Sequence, residues 1–156
     1  MTLLKFLAAL IILVIAVPLA TIAYNGAPIT TSPGPLPRLA TYLTSHTAET
    51  VPVSAYPERE ITAYRRPPLA VLDAALAAVN GFGWTLESVD RKALSLHAVA
   101  STPVWGFKDD VVVRVKTGDD GASKLYIRSS SRVGKGDLGA NTARLIRLRH
   151  AIEQRL

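Results

Sequence analysis

Residues 6–23 read FLAALIILVIAVPLATIA, a run of eighteen residues without a charge. With Tyr24 it reaches the lower edge of what spans a bilayer, about 17–25 residues. The rival reading is a signal peptide, whose apolar region is usually about 7–15 residues and ends in a small-residue cleavage site. Thr21 and Ala23 make only a poor site of that kind, and no clean A-x-A is present. Pro18 fits either reading, as a kink in a span or as the end of a signal segment. A buried helix of a soluble protein is the weakest of the three. The run therefore reads as an anchor, residues 1–24, or an uncleaved signal. Lys5 and the amino terminus precede it, and the next charge is Arg38. Cations favour the cytoplasmic side. The expected topology is a single pass through a bacterial inner membrane by residues 6–24, with the N-terminus in the cytoplasm and the C-terminal domain in the periplasm.

Charge then bounds the partners. Eighteen Lys and Arg against twelve Asp and Glu give +6. That balance suits anionic headgroups, and it equally serves solubility. With a membrane segment ahead of it, nucleic acid is not expected as a partner. An anionic lipid or a membrane protein is. The chain has no cysteine, which excludes disulfides and thiol chemistry.

Residues 25–58 hold prolines at 28, 33, 35, 37, 52 and 57, which forbid long regular elements. This stretch is a linker or a strap. A pure spacer has little need of Leu43, Val51, Val53 and Tyr56, and Leu39, Tyr42 and Leu43 offer one helical face. A compact domain is expected over 59–156. Ile61–Arg65 reads as an edge strand. Pro67-Pro68 opens a helix over Leu69–Val79, with Leu69, Leu72, Leu76 and Val79 as its buried stripe. Strands follow at 84–89, 93–100, 109–116 and 123–130, joined by short turns and hence antiparallel neighbours. A last helix runs from near Asp137 towards Arg155, with Leu138, Leu145, Leu148 and Ile152 inward and Arg144 and Arg147 on the wetter side. The expected fold class is α+β: an antiparallel sheet of four or five strands with two helices on one face, plus the N-terminal transmembrane helix.

Chemistry concentrates in SRVGKGDLGAN, residues 131–141. Gly134-x-Gly136-x-x-Gly139 matches the letters of a dinucleotide-binding loop, but that motif belongs after the first strand of a parallel β-α-β unit. Here it opens the last helix. A Walker loop is not matched either. No nucleotide or other cofactor is expected. Asp137 is placed to cap the helix, and the glycines permit a tight path. Arg128, Arg132, Lys135 and Arg144 crowd this end. They either bind a phosphate or carboxylate or pair internally with Asp109, Asp110 and Asp137. Asp109 and Asp110 are adjacent on a strand and face opposite ways, so they do not simply serve one site. The three histidines are widely separated, and no metal site is expected. Trp105 and Phe107 either close the core or form a lip facing a membrane or partner. Ser129, Ser130 and Ser131 lack a nucleophile-elbow sequence. A hydrolase using Asp109 or Asp137 with Ser129 or Ser131 is the catalytic alternative to a binding or purely structural role.

Three stretches resemble the domain of unknown function 1499 family: Tyr64-Arg65-Arg66-Pro67-Pro68, Gly106-Phe107-Lys108-Asp109-Asp110-Val111-Val112-Val113-Arg114, and Arg128 through Asn141 with Arg144. The resemblance covers roughly 60–155, and Leu39 to Thr44 looks like a subgroup extension. It brings no established reaction. It implies that Asp109, Asp110, Ser131, Arg132, Asp137, Asn141 and Arg144 belong to the family core and meet in one polar cluster. Asn141 falls near the sheet-facing side of the helix. Its buried amide would need partners, which strand-end serines or Asp109 would supply. The expected function is that of a membrane-tethered envelope domain that binds an anionic or polar ligand or supports a membrane assembly.

Overall fold

The computed structural model describes residues 2–102 and 106–156. The expected α+β fold is what forms. Helix α1 (Thr2–Asn25) is unbroken through Pro18. Helix α2 spans Pro35–Thr44, α3 spans Pro68–Gly81 and α4 spans Ala140–Glu153. The strands are β1 (Thr47–Glu49), β2 (Thr62–Tyr64), β3 (Thr85–Asp90), β4 (Ser95–Ser101), β5 (Lys108–Thr117) and β6 (Ser123–Ser131). All pair antiparallel in one six-stranded sheet of order β1-β6-β5-β4-β3, with β2 also on β6.

The edge beyond β6 is thus built in two pieces. β1 covers residues 128–130 of β6 and β2 covers 123–125. Thr50 bridges the gap: its N–H donates to Ile127 O, and its Oγ1 accepts from Ile127 N–H at 2.9 Å. The excursion between the two pieces carries the single turn Pro57–Arg59. The Pro-rich strap therefore packs on the sheet.

Strand parity decides what lies under the helices. Leu96, Ala98 and Ala100 of β4, Val111, Val113 and Val115 of β5, and Leu125 and Ile127 of β6 are buried. They meet Val71, Leu72, Ala75 and Val79 of α3 and Leu145, Leu148 and Ile152 of α4 in one core. Two expected stripes shift. Leu69 is 47% exposed, because α3 turns Val71, Ala75 and Ala78 inward instead. Leu138 precedes α4, with φ of 50°, and packs with a second cluster formed by Ile22, Ala27, Tyr42 and Ala143. That second cluster seats the end of α1 on the domain.

Candidate functional site

The inward parity of β5 and β6 continues past the apolar core into polar residues. Asp109 precedes Val111 on β5, and Ser129 and Ser131 follow Ile127 on β6, with Asp109 opposite Ser131 in the register. α4 lays Asn141 and Arg144 over them. Both were expected near polar partners, but Arg144 is not on the wetter side: it is 5% exposed. The reason is helical spacing: Arg144 comes three residues after buried Asn141 and four before buried Leu148, on the stripe that faces the sheet.

Asn141 uses its full hydrogen-bonding capacity. Its Nδ2 donates to His46 O at 2.8 Å and Ser131 Oγ at 2.9 Å. Its Oδ1 accepts from Ser129 Oγ and Arg144 Nη1, both at 2.6 Å. A guanidinium only donates, so this contact fixes the amide orientation. Arg144 Nη1 also reaches Ser129 Oγ at 3.0 Å, and Nη2 donates to Asp109 Oδ2 at 2.6 Å. Burial pushes the Arg144 pKa down, and the Asp109 carboxylate opposes that shift. One atom stands apart from this web. Among the described residues, Asp109 Oδ1 is buried without a hydrogen-bond partner, a costly state for a carboxylate oxygen.

The glycine loop is held against α2. Asp137 and Leu138 donate their N–H groups to Ser45 O and Tyr42 O. A side chain at Gly136 would collide with the backbone of Leu43, and one at Gly139 with Ala27. Gly139, at φ of 80°, is the residue that caps α4. Asp137 still serves the helix, from two residues upstream: its carboxylate accepts from Gly139 N–H at 2.8 Å and Asn141 N–H at 3.0 Å. The tight approach that the glycines allow is made to α2 rather than to a phosphate.

Of the remaining predicted residues, Asp110, Arg128 and Arg132 lie on the opposite face of the sheet, and Lys135 lies on the loop. Asp110 Oδ1 accepts from Arg132 Nη2 at 2.7 Å and lies 2.8 Å from His97 Nε2. Its pKa is lowered to about 2: the Arg132 hydrogen bonds dominate, partial burial opposes them, and His97 adds to the lowering. Arg128 lies 3.7 Å from Glu49, both exposed, and Lys135 is exposed on the loop. The cluster is therefore two clusters on two faces of the sheet. Asp109, Ser129, Ser131, Asn141 and Arg144 form the inner one, and Asp110, Arg132 and His97 the outer.

Beside the inner cluster lies a cleft of about 740 Å³. Asp109, Ser131, Asp137, Arg144 and Arg147 are among its polar lining, and Val17, Ala20 and Tyr24 of α1 line it too. Phe107 and Val133 line it as well and are 52% and 69% exposed. Trp105, expected beside Phe107, lies outside the described residues. Among the described residues, no histidine or carboxylate is hydrogen-bonded to Ser129 Oγ or Ser131 Oγ. The serines are thus built into a hydrogen-bonded scaffold with Asn141 and Arg144.

Three features escaped sequence reasoning. Arg147, exposed as expected, also lines the cleft, a role its sequence position did not reveal. Asn25, at the end of the apolar run, donates to Leu138 O at 3.0 Å. Arg38 is the third. It is fully buried within the strap and grips Glu58 through two bonds of 2.7 and 2.9 Å. Further bonds go to Tyr42 Oη and to the carbonyls of Pro28, Thr31 and Ser32. Nothing in the local sequence pairs residues 38 and 58.

Comparison with curated proteins gives no match. Comparison with protein families matches residues 29–152 to the family described as "Protein of unknown function (DUF1499)". The matched stretch takes in α2, β1 and β2 together with the inner polar cluster, so the strap that carries Arg38 is part of it. On that match the chain belongs to the DUF1499 family.

Proposed function

We propose that this is a single-pass membrane domain that holds an amphiphilic ligand where its anchor leaves the bilayer. One observation carries the reading: the end of α1 and the polar cluster line the same cleft. Lys5–Asn25 is long and apolar enough to cross a membrane. At about 1.5 Å per residue this segment is about 30 Å long, close to the hydrocarbon thickness. With Lys5 at one boundary, Asn25 falls at the other, and the cleft opens at headgroup level. An amphiphile there would lay its apolar part along Val17, Ala20, Phe107 and Val133 and turn its polar part to Asp109, Ser131 and Arg147.

The docking of α1 also supports an uncleaved anchor, because removal at Ala23 would strip out Ile22, which is 1% exposed in the second cluster. The lysine before the span supports an N-terminus in the cytoplasm and a periplasmic domain. Extraction of the full-length protein in polymer-bounded lipid discs, followed by native mass spectrometry, tests the ligand reading. One phospholipid-sized amphiphile should stay with the chain after bulk lipid is stripped, and Ala20→Phe, which narrows the cleft, should release it. The exposed Phe107 and Val133 support a second reading, contact with a membrane protein. A co-purifying protein without any retained amphiphile would favour that reading instead.

A further inference from the structure

We propose that the amphiphile is a phospholipid whose headgroup ends in a hydrogen-bond donor, an ammonium or a hydroxyl, and that Asp109 Oδ1 reads that donor. The inference rests on the ligand reading above and specifies its chemistry. Asp109 is 1% exposed, lines the cleft, and among the described residues leaves Oδ1 without a partner while Oδ2 is taken by Arg144. Every other polar side chain at the cluster's centre is engaged. Asn141 has no capacity left, and Ser129 is held between Asn141 and Arg144. The unmet need is thus for one donor at one oxygen, and a ligand that brings an acceptor there would meet repulsion.

The second polar requirement is an anion. Arg147 lines the cleft and is exposed. It lies close enough to Arg144 for its charge to lower the Arg144 pKa. A phosphate beside Arg147 would relieve that like-charge contact. Phosphate plus a short arm ending in a donor describes phosphoethanolamine and phosphoglycerol headgroups. Phosphocholine has the same phosphate and an arm of similar length, but its quaternary ammonium has no N–H to donate. The apolar walls from α1, with Phe107 and Val133, suit the acyl chains.

The test uses full-length protein in mixed micelles of phosphatidylethanolamine, phosphatidylglycerol and phosphatidylcholine with identical chains, read by native mass spectrometry. Losing one hydrogen bond to a buried charge corresponds to about tenfold or more in affinity. The donor-bearing lipids should therefore be retained over phosphatidylcholine by at least about tenfold. Arg147→Gln, at an exposed position, should weaken both donor lipids alike and leave their advantage over phosphatidylcholine intact. Asp109→Asn should erase that advantage. Should this variant fold poorly, the wild-type lipid competition and Arg147→Gln decide alone. Equal retention of phosphatidylcholine overturns the headgroup assignment while leaving the amphiphile reading standing. Retention of none of the three lipids overturns both.

Discussion

Arg38 shows how much one residue can decide. Its guanidinium meets Glu58, Tyr42 and three carbonyls from residues 28–32, and so turns an irregular strap into part of the folded body. Burial alone would raise the Glu58 pKa, but the Arg38 hydrogen bonds reverse this and hold it below its ordinary 4.5. Arg38→Met leaves a buried carboxylate and Tyr42 without their donor. It should cost about 3–5 kcal/mol, the usual penalty for breaking one side of a buried pair, seen as a drop in Tm of the detergent-solubilised protein. Arg38→Lys should recover little, since an ammonium cannot span both Glu58 oxygens. The outer cluster gives a pH effect of known sign. A carboxylate with a depressed folded-state pKa stabilises above its unfolded value and loses that contribution as pH falls through the folded one. For Asp110 the window runs from about 3.8 down to about 2. The effect is modest, because the group is a third exposed and solvent screens it. Carboxyl-carbon NMR should place the Asp110 titration near the low end of that window in the wild type and move it upward in Arg132→Gln.

Among the elements, the sheet was the most legible from sequence and the N-terminus of α4 the least. Alternation in Asp109–Lys116 placed the two acids on opposite faces, and Asp109 and Asp110 indeed serve separate clusters. The core positions of β4, β5 and β6 followed from the same period. α4 was misjudged because Asp137 reads as a cap, and a cap is expected next to its helix. Here Gly139 holds the cap position, and Arg144 is buried because it shares the sheet-facing stripe of Asn141 and Leu148. The Arg38–Glu58 contact stayed hidden because a pair twenty residues apart in an irregular strap follows no period. The loop between β6 and α4 makes its own prediction. Gly136→Ala puts a methyl into the Leu43 backbone and should part the loop from α2. Hydrogen exchange at the Asp137 and Leu138 amides, which donate to Ser45 O and Tyr42 O, should accelerate, while amides in β5 keep their protection. In the core, Leu148→Ala should cost about 2–5 kcal/mol as a cavity mutation, with its effect spread over the whole unfolding transition.

At the scale of the molecule, topology is directly testable because the chain has no cysteine of its own. Lys135→Cys, on the exposed loop, should react with a membrane-impermeant maleimide added outside spheroplasts. Lys5→Cys should react only after lysis. Labelling in the reverse pattern would invert the proposed orientation. Intact mass of the purified protein should include residues before Ile22, the outcome the proposed uncleaved anchor predicts. That docking has a mechanical consequence. Ile22 is gripped by Ala27, Tyr42 and Ala143, and Asn25 is tied to Leu138, so the anchor and the domain share a joint with little swivel. A transmembrane helix answers a thicker or thinner bilayer by changing its tilt. On a slack tether that motion would be lost before it reached the domain. Were α1 to span a membrane as proposed, a stiff joint would make the domain lean with the helix, and the thickness of that membrane would set the angle at which the cleft meets the lipid surface.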